Sequence, residues 1–186
     1  FLKKNMTFLD VGGNCGYYTI LAGNIVGSKG KVISYEPSTK FYTELQDGVK
    51  INSLKNVEVV NKGLSNKTEK LLLSSVGCNG SFVEDWFKND NLLKTNFSQD
   101  DKEHLSIKTE KASLSTLDNE VENKKIKRID FIKVDIEGFE DKFFEGARKT
   151  LVNFRPLILV EWRYFNDDNI LMSILKDLNY SFIPEN

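Results

Sequence analysis

Short apolar runs that alternate with helical segments are the feature that most limits what this chain can fold into. The runs Thr7–Val11, Lys31–Tyr35 and Val57–Val60 are rich in β-branched residues and predict strands. Between them, Gly16–Val26 and Thr39–Asn52 carry apolar residues at helical spacing. A strand–helix–strand order predicts right-handed crossovers, which place the strands side by side in a parallel sheet. The chain is therefore predicted to be an α/β protein with a mostly parallel, twisted sheet.

The same alternation returns in the second half of the chain. Phe139, Phe143 and Phe144 have the spacing of one helix face, so they are predicted to belong to the core. The predicted elements are strands at Ile129–Val134, Leu157–Val160 and Tyr180–Ile183, a helix through the three phenylalanines, and a helix over Ile170–Leu178.

Three local predictions complete the pattern. Ser38 is a suitable N-cap for the helix that follows it, because its hydroxyl can accept a hydrogen bond from a backbone N–H of the first turn. Leu71–Leu73 is predicted to add an edge strand. From Val76 to about Leu105 the pattern weakens into polar residues and scattered aromatics, which is typical of a lid over a functional site or of a poorly ordered segment. The chain is thus expected to be one domain over residues 1–186, with an irregular insertion at about 76–105.

Charge and composition limit the function. A chain of 186 residues with 40% apolar and 28% charged residues is near the average for a globular domain. The net charge of -1 gives no field that would attract a polyanion, which argues against nucleic acid as a partner. Cys15 and Cys78 form no C-x-x-C pair, and a reducing, cytoplasmic setting fits them best. No apolar run reaches the roughly 18 residues of a membrane span. Because the chain opens at Phe1, almost inside its first strand, we expect it to be part of a longer protein.

Acidic residues or glycines follow the carboxyl end of strand after strand. In open parallel sheets, ligands bind beyond these ends, where the strand order reverses. A folded core needs no carboxylates at such positions, so a shared pocket rim explains them best. The rim residues are Asp10 and Gly12 after the first strand, Glu36 after the second, Asp135 and Glu137 after the fourth, and Glu161 after the fifth.

The turn after the first strand is rich in glycine. Gly12, Gly13 and Gly16 let the backbone approach a ligand closely, and the next helix presents its first N–H groups. A tight strand–helix turn also uses glycine for structure alone, so the turn is weak evidence by itself. Glu36 lies 20 residues beyond Gly16, where a carboxylate can accept both hydroxyls of a cofactor ribose. Together the two features predict a cofactor site.

Two cofactors use a site of this kind. The dinucleotide fingerprint G-x-G-x-x-G is absent, because Asn14 and Tyr17 stand where two of its glycines would be, counted from Gly12. The sequence is instead D-x-G-x-N-x-G. The acid Asp10 suits a ligand with a cationic amino acid group and opposes a pyrophosphate, which favours S-adenosylmethionine over a nicotinamide.

Four segments, in this order and spacing, resemble the FkbM family of methyltransferases: FLDVGGNCGYYTILAG, KVISYEPS, DFIKVDIEGFEDKFFEGA and PLILVEW. The similarity runs from about Met6 to Tyr180. It implies a Rossmann-like class I methyltransferase fold with helices on both faces of the sheet, and S-adenosylmethionine as the donor. It also implies transfer to a hydroxyl oxygen, often on a sugar or a polyketide-like natural product.

The resemblance also assigns residues. The family commonly has Ala where this chain has Gly13, which is expected to be a harmless change. Asp10, Gly12, Asn14 and Gly16 match the family's cofactor turn, Glu36 matches its ribose acid, and Asp135, Glu137 and Glu161 match its acidic positions.

A hydroxyl acceptor has to lose a proton, and a carboxylate or a histidine at the rim can take it. Asp135 is the preferred candidate base, with metal binding, acceptor binding and loop bracing as its alternative roles. Asp135, Glu137 and Glu161 offer oxygen ligands for Mg²⁺, although acids such as Glu137 also stabilise helix N-termini. His104, the only histidine, is more typical of a surface residue. Lys133 is a partner for one of these acids and receives no role of its own.

Three classes of function stay open at this point. The first is a methyltransferase that acts on a hydroxyl of a small-molecule or glycan acceptor. The second is a nicotinamide-dependent oxidoreductase that modifies sugars, and the third is a non-catalytic binding module that keeps the fold. The sequence favours the first, and it decides neither the acceptor nor the oligomeric state.

Overall fold

The computed structural model describes residues 1–76, 79–82, 108–161 and 170–181. The described strands are β1 (Thr7–Val11), β2 (Lys31–Tyr35), β3 (Val57–Val60), β4 (Gly63–Leu64), β5 (Glu69–Val76), β6 (Asn79–Phe82), β7 (Lys108–Ser115), β8 (Phe131–Val134) and β9 (Leu157–Val160). The described helices are α1 (Tyr17–Val26), α2 (Thr39–Ile51), α3 (Leu117–Asn123), α4 (Glu140–Glu145), α5 (Arg148–Phe154) and α6 (Ile170–Asp177).

The central sheet contains five described strands in the order β3-β2-β1-β8-β9, and all of its pairings are parallel. The chain builds outward from β1 to β3 on one side and from β8 to β9 on the other. The strand order therefore reverses between β1 and β8. The carboxyl ends of these two strands open a crevice, which is where ligands bind in sheets of this kind. The predicted Rossmann-like α/β fold is confirmed.

Side chains of the central strands alternate between two helical layers, as the period of a strand requires. On β1, Phe8 packs with Ala22 and Val26 of α1. Leu9 and Val11 belong to the main core on the other face. Helices thus cover both faces of the sheet. Their residues in the main core are Leu117, Phe143, Phe144, Leu151, Leu171, Ile174 and Leu175.

A second sheet has the order β4-β7-β5-β6 and lies next to the crevice. Its strand β5 is antiparallel to both β6 and β7, whereas β4 is parallel to β7. Leu73 of β5 packs with Ala112 and Leu114 of β7 and with Phe139. Leu71–Leu73 form a strand as predicted, but the predicted edge position is wrong, because β5 lies between β7 and β6.

Other local predictions had mixed outcomes. Phe143 and Phe144 are fully buried in the main core, and Phe139 is buried in the smaller cluster, so their prediction as core residues is confirmed. Ser38 precedes α2 as predicted, but its hydroxyl makes no capping hydrogen bond. The insertion is not irregular at its start, because Asn79–Phe82 pair with β5.

The remaining predictions concern the last predicted strand, membrane spans and the predicted lid. Tyr180 and Ser181 lie outside any strand, and the rest of the predicted strand falls beyond the described residues. None of the described helices is long and apolar enough to cross a membrane. Among the residues with a prediction, Cys78, His104 and most of the predicted lid, including its aromatic residues Trp86, Phe87 and Phe97, lie outside the described residues.

Candidate cofactor and acceptor site

A cavity of about 280 Å³ opens at the carboxyl ends of β1, β2 and β8. Six of the eight residues predicted for the site line it, and only Asp10 and Gly16 do not. The predicted residues in its lining are Gly12, Asn14, Glu36, Asp135, Glu137 and Glu161. Apolar residues that had not been predicted for the site form the rest of the wall, among them Pro37, Phe41, Leu64, Leu73, Ile136 and Phe139. The cavity lining therefore offers both polar groups and apolar surface.

The glycine turn is fixed by its backbone contacts. The N–H groups of Gly12 and Gly13 donate to the carbonyl oxygen of Tyr35, at 3.0 and 3.1 Å. Gly12 has a φ of +85°, and a Cβ on it would lie 1.9 Å from the carbonyl oxygen of Asp135. Only glycine allows the turn after β1 to pass so close to the end of β8. Gly16, with a φ of +97°, starts α1 and lies outside the cavity lining.

Glu36 ends β2 and is held by two backbone donors. Its Oε2 accepts the N–H of Asn14 at 2.8 Å, and its Oε1 accepts the N–H of Ser38 at 2.9 Å. The residue is only 6% exposed. Burial raises the pKa of Glu36 to about 7, against the opposing effect of the two N–H groups, and the nearby carboxylates of Asp10 and Glu110 raise it further. A carboxylate oxygen can accept more than one hydrogen bond, so Glu36 retains acceptor capacity toward the cavity.

Asp10 is fully buried on the face of the sheet that α1 covers. Its Oδ2 accepts the hydroxyl of Thr19 at 2.6 Å, and that hydroxyl also lies 2.9 Å from the hydroxyl oxygen of Ser34. Its Oδ1 has no hydrogen-bond partner among the described residues, and burial raises the pKa of Asp10. Asp10 is not among the residues that line the cavity, and its hydrogen bond is to Thr19 of the helix that follows the turn.

Asp135 follows β8 and faces the cavity. Its backbone N–H donates to the carbonyl oxygen of Val11 at 3.0 Å, and its side chain is 30% exposed. The ammonium of Lys133 lies 3.2 Å from Asp135 Oδ2 and 3.7 Å from Asp10 Oδ1. Lys133 therefore pairs with two of the acids, where the sequence predicted one.

Glu140 is a site residue that the sequence reasoning missed. Its Oε1 accepts the N–H groups of Ile136 and Gly138, both at 3.2 Å, and burial raises its pKa. Between these donors the backbone takes positive φ values, +53° at Glu137 and +97° at Gly138. Glu140 thus fixes the loop that carries Glu137 to the cavity. The sequence signal for this role is an acid at the start of a helix, three residues after Glu137.

The predicted magnesium site is not supported. Asp135, Glu137 and Glu161 line the same cavity, and the backbone N–H of Glu161 donates to the carbonyl oxygen of Val134 at 2.9 Å. Across the described ranges of the chain, however, no three His, Cys, Asp or Glu side chains are grouped closely enough to hold a metal ion. Sharing a cavity rim does not bring the three carboxylates to one point.

The fold and the cavity together define a Rossmann-like α/β protein of the class I methyltransferase type. The chain belongs to the FkbM methyltransferase family, since the family's Methyltransferase FkbM domain matches residues 10–182. No curated protein matches the chain closely enough to add to this.

Two solved structures show the same fold. Methyltransferase FkbM from Methylobacillus flagellatus KT is 16% identical, with a TM-score of 0.62, over 93% of this chain and 38% of that one. Precorrin-6y C5,15-methyltransferase from Geobacter metallireducens GS-15 is 13% identical, with a TM-score of 0.51, over 97% of this chain and 65% of that one. This chain thus spans less than two thirds of the length of either protein. At these identities the likeness concerns the fold alone.

Proposed function

We propose that this protein transfers a methyl group from S-adenosylmethionine to a hydroxyl oxygen of a sugar or another natural product. The observation that carries the proposal is the meeting of Glu36, the Gly12 turn and Asp135 in one cavity at the point where the strand order reverses. Membership in the FkbM family supports methyl transfer. The carboxylates on the cavity rim support a hydroxyl group as the acceptor.

The cavity lining fits an adenosyl group with an attached amino acid. Glu36 has acceptor capacity for two ribose hydroxyls, and two backbone N–H groups hold its carboxylate in place. Pro37, Phe41 and Leu64 offer an apolar surface next to Glu36, which suits a flat base such as adenine. Asp10 would act indirectly, because it accepts a hydrogen bond from Thr19 of α1, the helix that follows the turn.

Asp135 is the candidate base. When bound, S-adenosylmethionine would supply a methyl group that is already activated on a sulfonium, so the protein has mainly to place the acceptor and remove a proton. Asp135 would take the proton of the acceptor hydroxyl as that oxygen receives the methyl group, and the donor would leave as a neutral thioether.

The other rim acids support an acceptor with several hydroxyls. Glu137 and Glu161 line the cavity beside Asp135, and ionised carboxylates are acceptor-only groups. Hydroxyl groups are donors that satisfy such acceptors without adding negative charge. An acceptor with phosphate or carboxylate groups near the reacting oxygen would meet repulsion at this rim.

Binding of S-adenosylhomocysteine, compared with NAD⁺, tests the cofactor. A ligand at 100 times its dissociation constant stabilises the folded state by about 2.7 kcal/mol, so only S-adenosylhomocysteine should raise the melting temperature. Sugars, glycolipids and small phenols would then be screened with a donor that carries an isotope-labelled methyl group. Mass spectrometry should find the label on oxygen. A shift with NAD⁺ alone, or label on nitrogen or carbon, would contradict the proposal.

A further inference from the structure

Lys133 is a buried lysine between two carboxylates of the candidate site. It pairs with Asp10 in the register of β1 and β8 and precedes Asp135 by two residues, so strand alternation projects all three to one side of the sheet. Its ammonium lies 3.2 Å from Asp135 Oδ2 and 3.7 Å from Asp10 Oδ1. It also donates to the carbonyl oxygen of Gly12 at 3.3 Å. Burying a lysine without such partners would be costly.

The charges around this lysine do not cancel. Two carboxylates face one ammonium, and in the described part of the chain no second lysine or arginine pairs with either acid. The other titratable groups nearby are Tyr18, whose ring centroid lies 4.9 Å from the ammonium, the carboxyls of Glu36 and Glu140, and the rim acids Glu137 and Glu161 beside Asp135. The cluster therefore adds negative charge next to Gly12 and Asp135, both of which line the cavity.

We propose that Lys133 is a positioning residue that sets the charge at the methyl-transfer position, and with it the preference of the site for the sulfonium donor over the thioether product. The inference rests on the proposed function. The single ammonium of Lys133 faces the two carboxylates of Asp10 and Asp135, so this cluster keeps one negative charge that can balance the sulfonium. During transfer the sulfur loses its positive charge and Asp135 gains a proton, so the net charge of the site stays the same before and after.

The consequence can be measured without an acceptor. Sinefungin carries an amine where the donor carries its methyl sulfonium, whereas S-adenosylhomocysteine is uncharged there. Calorimetry at about pH 8.5 would give the affinity of both ligands, and their ratio reports the charge of the site. Lys133→Met should shift the ratio toward sinefungin by at least about tenfold, the size expected for a unit charge within about 10 Å of the ligand. Lys133→Arg keeps the charge and should stay near the wild-type ratio.

Two further variants complete the experiment. Lys31 pairs with Glu58 at 3.0 Å and lies at the start of β2, at the end of the sheet away from the cavity. Lys31→Met therefore removes the same charge and should leave the ratio unchanged. Asp135→Asn removes a negative charge and should shift the ratio toward S-adenosylhomocysteine by at least about tenfold.

The outcomes are separable from those of the proposed function. Wild-type protein that binds neither ligand would refute the function, whatever the variants do. Wild-type protein that binds both, with a folded Lys133→Met variant whose ratio stays within about twofold, would overturn the role of Lys133. If Lys133→Met does not fold, Asp135→Asn decides, because an unchanged ratio in that variant would overturn the charge balance as well.

Discussion

Replacing Glu36 by glutamine should remove a loss of stability that the wild-type protein suffers as the pH rises. The carboxyl is buried at the end of β2, and its pKa is raised from 4.5 to about 7, mainly by burial. A group whose pKa is raised by folding stabilises the folded state fully below its unfolded pKa, and this contribution is lost as the pH rises through its folded pKa. The window for Glu36 thus runs from about pH 4.5 to about pH 7.

The size of the effect follows from the two values. A difference of about 2.5 pKa units, at about 1.4 kcal/mol per unit, corresponds to roughly 3 kcal/mol. Because Glu36 is only 6% exposed, solvent screening reduces this little. The free energy of unfolding of the wild type, minus that of Glu36→Gln, should therefore fall by roughly 3 kcal/mol between pH 4.5 and pH 8.

Urea denaturation of both proteins at half-unit steps of pH measures this difference. Taking the difference cancels the titration of other groups that the substitution leaves unchanged. Glu44 on α2 is exposed, and Glu44→Gln provides a control for the loss of one carboxylate. Parallel curves for the wild type and Glu36→Gln across this range would show that folding does not raise the pKa of Glu36, and the reasoning from burial would be refuted.

The ionisation of Glu36 should also control the affinity of the protein for S-adenosylhomocysteine. An ionised Glu36 can accept both ribose hydroxyls, whereas a protonated one offers less acceptor capacity. The affinity of the wild type for S-adenosylhomocysteine should then rise by up to about tenfold per pH unit below pH 7 and level off above it. In Glu36→Gln this dependence should disappear, at an affinity lower than that of the wild type at pH 8. Calorimetry across the same buffers checks both statements.

Three other predictions concern the turn, the base and the loop. Gly12→Ala should abolish binding of S-adenosylhomocysteine in calorimetry, because the added Cβ would displace the carbonyl of Asp135. Gly27→Ala is the control, since it also strains a positive φ but should leave this affinity unchanged. Asp135→Asn should keep the fold and lower turnover by roughly 10²–10⁴, and rescue of wild-type activity by Mg²⁺ after EDTA would instead indicate a metal-bound hydroxyl. Glu140→Ala should cost about 1–3 kcal/mol in urea denaturation by leaving two N–H groups unpaired, and Glu140→Gln should recover most of this.

The central strands could be predicted from the sequence, because each is a short apolar run that ends at a turn or an acid. Thr7–Val11, Lys31–Tyr35 and Leu157–Val160 have in the structure the bounds that the pattern predicted. The second sheet was missed because its strand β7, KTEKASLS, is mostly polar and lacks a continuous apolar run. Its inward residues, Ala112 and Leu114, become apparent only once β5 lies beside it.

Residues of the candidate site could be predicted from the sequence where their position at the end of a strand brings them to the cavity. Glu36 and Asp135 follow strands whose carboxyl ends meet, so the topology alone brings both to the cavity. Asp10 differs because it lies within β1, where alternation directs its side chain under α1. The roles of Lys133 and Glu140 depend on strand register and on a loop conformation, and neither is readable from spacing alone.

The space around Gly13 depends on neighbouring residues that the local sequence pattern does not reveal. The resemblance to the family implied that glycine in place of alanine is a harmless change at this position. In this chain a Cβ on Gly13 would lie 2.2 Å from the hydroxyl oxygen of Ser34 and 2.9 Å from a methyl carbon of Leu45. The Ser34 hydroxyl is not free to leave, because it lies within hydrogen-bond distance of Thr19, which in turn donates to Asp10. Gly13 therefore depends on the buried hydrogen-bonded residues next to it, because Ser34 occupies the space that an alanine side chain would need. The shape of the cofactor turn is thus set as much by the face of the sheet under α1 as by the residues that line the cavity.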